Sequence, residues 1–236
     1  MAAAAPTPPP AWLARLAGKF LVFEGPDGSG KSTQLKRLVA LAAAHALPVC
    51  EVREPGGTDV GERIRQILLD KAHSDMALRC EMLLYMASRA QLVETRIGPA
   101  LAANHLVIAD RFVSSTIAYQ GAAGGLPRDD IDAVTGVACG AVRPDLILIF
   151  DVDEQTAAQR AGIIAPTGKG KRVDTELRSL FADRMEDRSH EFRRKVRESY
   201  LAQAKEAPAT HAIINAAKGP DEVWESLVRT LEARFP

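Results

Sequence analysis

Residues 22 to 33 read VFEGPDGSGKST, and Gly25, Gly30, Lys31 and Ser32 satisfy the spacing GxxxxGK[ST]. That spacing suits a polyphosphate. Glycines let successive backbone N–H groups turn inward around phosphate oxygens, and a helix opening at the end of the loop adds the positive end of its dipole. The loop from Gly25 through Pro26, Asp27, Gly28, Ser29, Gly30, Lys31 and Ser32 to Thr33 is therefore expected to bind a nucleoside triphosphate. Lys31 would reach its β- and γ-phosphates, and the Ser32 hydroxyl would bind Mg²⁺. Asp27 is less expected there, because a carboxylate beside a triphosphate costs Coulomb energy. A hydrogen bond to a sugar hydroxyl of a second ligand would justify it; a solvent-facing turn is the alternative.

Two further clusters follow apolar runs. REPGGT begins at Arg53, and Asp110-Arg111-Phe112 ends the run HLVIAD. Two guanidinium groups at strand ends suit a second, separate phosphate, since arginine binds phosphate through a planar fork and keeps its charge. They could instead pair with neighbouring carboxylates such as Glu54 and Asp110. An apolar strand ending in Asp110 also makes that residue a candidate for holding Mg²⁺ or its water shell, or for orienting Arg111. Glu54 is the competing carboxylate for the metal.

The elements that must position these residues are legible as alternating apolar bursts and helical patterns. Strands are expected at 19–24, 48–52, 105–110, 145–151 and 211–215, separated by helix-length sequence such as 32–46. Five short, continuously apolar strands joined by crossovers predict an α/β fold, a five-stranded parallel sheet with helices on both faces. Ligands should then bind at the carboxyl ends of the strands. One stretch breaks the rhythm: between helices at 153–160 and 184–206, residues 161–183 carry Lys169, Lys171, Arg172 and Arg178 among Pro and Gly. Its length and composition suit a mobile lid.

The chain's 236 residues and 47% hydrophobic content predict one domain, 19–236, preceded by a loose Ala/Pro-rich tail at 1–18. Thirty basic and thirty acidic residues cancel, which argues against nucleic acid or an anionic membrane as partner. Three cysteines without a CxxC pair suggest neither a disulfide framework nor a zinc site. No apolar run approaches the roughly 20 residues of a membrane helix. A soluble, cytoplasmic protein is expected.

Together, FEGPDGSGKSTQ, REPGGT, LLYMASRAQLVE (83–94), DRFVSSTIAYQG (110–121), RPDLILIFDVD (143–153) and DRMEDRSHEFRRKVRESYL (183–201) resemble the bacterial thymidylate kinases. These are P-loop nucleoside monophosphate kinases that phosphorylate dTMP with ATP and Mg²⁺. The resemblance implies that Asp27 meets the 3′-hydroxyl of dTMP, that Arg53 and Arg111 hold its phosphate, and that Tyr85 stacks on thymine. It implies that Arg89 bonds the base carbonyl, with Ser115, Thr116 and Gln120 in the same pocket and Tyr119 near the sugar 2′ position. Arg160 would lie against the adenine of ATP, and the chain would form a homodimer through helices on the sheet face. Independently, Tyr85 and Arg89 stand four apart on one expected helix and can share a face.

A phosphate acceptor needs no general base, because its second pKa near ~6 leaves it largely dianionic at neutral pH. Catalysis then reduces to alignment and charge neutralisation, by Lys31 and Arg111 directly and by Asp110 through Mg²⁺ or Arg111. Gly28 stands where some thymidylate kinases carry an arginine, so the missing charge is expected from the lid, Arg172 first and Arg178 behind it. Two rivals remain at this level. A deoxynucleoside kinase would need a carboxylate base, a part open to Glu54; a P-loop regulatory ATPase would need no acceptor pocket.

Overall fold

The structure, a computed structural model, describes residues 10–161 and 190–236. Its strands are β1 (Phe20–Glu24), β2 (Val49–Arg53), β3 (Leu106–Asp110), β4 (Leu146–Asp151) and β5 (His211–Asn215), each within one residue of the expected bounds. They form one parallel sheet in the order β2-β3-β1-β4-β5. Every residue of β1 is buried, as a central strand covered on both faces requires.

Alternate side chains feed two cores. Phe20, Val22, Val107, Ala109, Ile147 and Ile149 face one way, against Met82 and Met86 of α4 (Leu78–Leu92), Ile131 and Cys139 of α7 (Arg128–Cys139), and Val196 and Tyr200 of α9 (His190–Glu206). Leu21, Phe23, Ile108, Leu148 and Phe150 face the other, against Leu35 and Leu38 of α2 (Lys31–Ala44) and Val223, Leu227 and Leu231 of α10 (Pro220–Arg234). The described residues also form α3 (Asp59–Leu69), the short α5 (Gly98–Ala102) and α6 (Val113–Thr116), and α8 (Glu154–Ala161). Two of them adjoin π-helical turns, Val93–Ile97 before α5 and Ile117–Ala123 after α6. No described helix is long and apolar enough to cross a membrane.

The N-terminal expectation needs correcting. Residues Ala11–Ala14 form α1, and Trp12, Leu13 and Leu16 are buried in the second core, which also holds residues of α2 and α10. Gly18 donates its N–H to the Asn104 carbonyl at 3.1 Å. Residues 10–18 thus belong to the folded domain. Trp12→Ala should lower stability by about 3–5 kcal/mol in urea unfolding, the cost of emptying a large core site; a shift near zero would mean the segment is only a tail.

The register explains where the site forms. Arg53 of β2 pairs with Asp110 of β3, and Asp110 with Phe23 of β1, so three strand ends lie side by side at the carboxyl edge. The chain leaves this edge toward α2 and α6 carrying the two motifs.

Candidate active site

The phosphate loop owes its shape to glycines with positive φ. Gly25 sits at +138°, where an added Cβ would lie 2.6 Å from the Phe150 carbonyl oxygen, and Gly30, at +83°, opens α2. Lys31 is the first residue of α2, and its side chain is only 7% exposed. Its Nζ donates to Asp27 Oδ1 at 3.3 Å and lies 3.9 Å from Asp110 Oδ1. Beside the loop is a cavity of about 540 Å³ bounded by residues 27–34, Arg160, the turn 216–220 and Val223. Arg160 spans its rim by donating to the carbonyls of Ala216, Ala217 and Lys218 at 2.6, 3.1 and 3.3 Å.

The oxygens around Asp110 suit Mg²⁺. Ser32 Oγ donates to Asp110 Oδ2 at 3.0 Å, while Oδ1 is buried without a hydrogen-bond partner. An orphaned carboxylate oxygen beside a serine hydroxyl fits an ion that takes one or two protein ligands and completes its shell with phosphate and water. No group of three or more His, Cys, Asp or Glu side chains suited to a metal occurs among the described residues. Glu54, the other metal candidate, does not fit. Arg89 Nε donates to its two oxygens at 3.1 and 2.8 Å and Nη2 to one of them, with both side chains buried. Burial pushes the Glu54 carboxyl up, against the pull of Arg89. Burial also works against the Arg89 charge, but Glu54 more than offsets it, so the guanidinium is held more firmly protonated than usual.

A second cavity, of about 280 Å³, opens on the other side of Asp27. Its lining brings together Asp27, Tyr85, Arg89, Arg111, Ser115, Thr116, Tyr119 and Gln120, the whole acceptor set expected from the sequence except Arg53. Arg53 does stand at the strand end, but its Nη2 donates to both Glu62 oxygens at 3.0 and 2.8 Å, and it does not line the cavity. Glu62 also accepts the Gly57 N–H at 2.7 Å, which lowers its pKa ahead of the Arg53 charge. Arg65 lines the cavity instead, its Nη1 donating to the Pro55 carbonyl at 3.0 Å. Arg89 also reaches Thr116 Oγ1 at 3.1 Å. Gln120 Nε2 donates to the buried Glu81 at 2.8 Å, which fixes the plane of the amide. Tyr119 and Gln120 stand on the π-helical turn, a geometry that recurs at functional sites.

Arg111 closes the cavity toward the phosphate loop. Its Nη2 donates to Asp27 Oδ1 at 2.7 Å, its Nη1 reaches Ser115 Oγ and Tyr200 Oη at 3.3 Å each, and its guanidinium lies 5.3 Å from the Tyr119 ring centroid. Arg111, and after it Lys31, hold the Asp27 carboxyl well below the usual carboxylate range despite partial burial. Beneath this group lies Glu24, fully buried, accepting from Phe112 N, Ser115 N, Ser115 Oγ and Tyr200 Oη. Glu24, Tyr200 and Arg65 were not singled out from the sequence. The basic cluster Lys169, Lys171, Arg172 and Arg178, and the expected lid beyond Ala161, lie outside the described residues.

Comparison with known proteins agrees with this geometry. The family profile described as thymidylate kinase matches residues 23–227. The chain is 40% identical over 215 residues to the thymidylate kinase of Pelotomaculum thermopropionicum, covering 91% of this chain and 93% of that one. It is 38% identical over 217 residues to the thymidylate kinase of Symbiobacterium thermophilum, covering 92% and 94%. Among solved structures it resembles a thymidylate kinase from Ehrlichia chaffeensis, with a TM-score of 0.65 at 28% identity, over 90% of this chain and 98% of that one. Motif, sheet order, paired cavities and matches across nearly the full length agree, and the chain belongs to the thymidylate kinase family.

Proposed function

We propose that the chain transfers the γ-phosphoryl group of ATP to dTMP, giving ADP and dTDP. The observation that carries this reading is that two cavities meet at Asp27, which lines both, with Lys31 on the donor side and Arg111 on the acceptor side. A polyphosphate in the first and a phosphate in the second would face one another, which is the alignment phosphoryl transfer needs. Residues 25–33 and Arg160 are assigned to ATP. Tyr85, Arg89, Thr116 and Gln120 are assigned to the thymine, Tyr119 and Asp27 to the sugar, and Arg111 with Ser115 to the acceptor phosphate. Arg65 joins them, in the place expected of Arg53.

Mg²⁺, held by Ser32 and Asp110, would supply neutralising charge to the β- and γ-phosphates. Lys31 orients those phosphates from the donor side, Arg111 orients the attacking oxygen, and no side chain has to remove a proton from a dianionic acceptor. Glu54 is committed to Arg89, which counts against the deoxynucleoside kinase alternative because that reaction needs a free carboxylate base. A regulatory ATPase would leave the second cavity without a use. The catalytic charge assigned to Arg172 and Arg178 rests on the sequence, supported by a glycine at position 28 and by the commitment of Arg160 to three backbone carbonyls.

A homodimer is proposed through α3, α4 and α7, which expose Val60, Ile67, Leu83 and Val137 on helices that pack side by side. Three free cysteines, Cys50, Cys80 and Cys139, support a reducing, cytoplasmic setting.

The test is a coupled ADP-release assay with ATP and a panel of nucleosides and nucleoside monophosphates. dTMP should be the preferred acceptor; preference for thymidine would move the chain to the hydroxyl acceptors, and ATP turnover indifferent to the panel would favour a regulatory ATPase. The same assay reads the protonation state of the acceptor. Asp27 has a depressed pKa, so its charge is lost only as pH falls through a value below the usual carboxylate range. With dTMP limiting, kcat/KM should therefore fall about tenfold per pH unit below ~6, tracking the phosphate rather than Asp27. Undiminished kcat/KM at pH 5 would contradict a dianionic acceptor.

A further inference from the structure

We propose that Glu24 and Tyr200 are positioning residues for the acceptor phosphate, acting through Arg111; this rests on the acceptor reading given above. The starting point is the backbone of Arg111, whose φ is +73°. A non-glycine residue in the left-handed region is strained and persists only where its surroundings over-determine it. Glu24 supplies that constraint. One of its oxygens accepts the N–H groups of Phe112 and Ser115 at 2.8 and 3.1 Å, fixing the turn on the carboxyl side of Arg111. The other accepts Ser115 Oγ at 2.6 Å and Tyr200 Oη at 3.0 Å.

These two hydroxyl oxygens lie 2.9 Å apart and both face Arg111 Nη1 at 3.3 Å. One carboxylate therefore acts on both ends of the arginine: it holds the turn that follows its main chain through the N–H groups of Phe112 and Ser115, and it orients the two hydroxyls that face its guanidinium. With Nη2 on Asp27, the fork is held against the second cavity. A carboxylate this deeply buried is costly, and an apolar side chain would serve packing as well. What an apolar side chain could not do is hold Arg111 in place. Glu24 ends β1, immediately before the phosphate loop, and Tyr200 comes from α9, so the arrangement also ties the acceptor arginine to both flanking elements.

The experiment compares dTMP with thymidine, the same ligand without the phosphate, by titration calorimetry on the full chain. Tyr200→Phe keeps the ring in the core and removes only the hydroxyl; Glu24→Gln keeps the shape and removes the charge. Each should weaken dTMP roughly tenfold to a hundredfold while changing thymidine by less than about twofold, as expected when a hydrogen bond to a charged group is lost. Equal loss of both ligands in Tyr200→Phe, or unchanged dTMP affinity in both variants, overturns the positioning role. Wild-type protein that does not bind dTMP overturns the acceptor reading and this proposal with it.

Discussion

Lys31→Ala should reduce kcat with ATP and dTMP by roughly 10²- to 10³-fold or more, the size of effect seen when a fixed electrostatic donor is taken from a transition state. Its ammonium lies between Asp27 and Asp110, 3.3 and 3.9 Å from their nearest oxygens, at the opening of α2. Removing it deletes a buried cation beside the expected β- and γ-phosphates and leaves two carboxylates facing them. Both kcat and the affinity for ATP should fall, whereas dTMP binding measured without ATP should change less, because Arg111 still shields Asp27. Activity within tenfold of wild type, read by ADP release, would contradict the donor assignment.

Arg111→Ala should act on the other substrate. We expect kcat/KM for dTMP to fall roughly 10²- to 10³-fold with ATP affinity little changed. The loss has two parts. The acceptor phosphate loses its planar, doubly donating partner, and Asp27 loses the charge that does most to depress its pKa. Asp27 would then present a less compensated carboxylate to an incoming dianion. Arg111→Lys should recover only part of the loss, since a point charge cannot reach Asp27, Ser115 and Tyr200 together. A variant whose main defect is in ATP binding would move Arg111 to the donor side.

What was legible in the sequence follows from what fixes each feature. The five strands announced themselves because a sheet covered on both faces needs unbroken apolar runs, and such runs carry their own boundaries. The phosphate loop was equally plain, since its chemistry depends on glycines at fixed spacing. α1 was not: a four-residue helix after a Pro-rich stretch has no period to read, and Trp12 is buried in a core that gathers side chains from the whole length of the chain. Arg53 was placed correctly at its strand end, yet Glu62, nine residues on, holds its guanidinium. Glu24 reads as the polar end of an apolar strand. Its meaning lies with Phe112, Ser115 and Tyr200, at separations of 88, 91 and 176 residues, beyond any local pattern. For Tyr85 and Arg89, spacing allowed a shared face, and family resemblance supplied the roles.

The strand order also has a consequence for biosynthesis. β1 leaves the ribosome early, but its neighbours in the sheet are β3 and β4, and the second of these ends at Asp151. At about 5–20 residues per second, the phosphate loop waits on the order of ten seconds before both strands that brace it have been made. The second core, which holds Trp12, Leu13 and Leu16, is complete later still, once α10 brings Val223, Leu227 and Leu231. For that interval the nascent chain carries a strand that ends fully buried, and a tryptophan, without their final cover. The segments made before β4 and α10 are thus the ones a chaperone would hold longest.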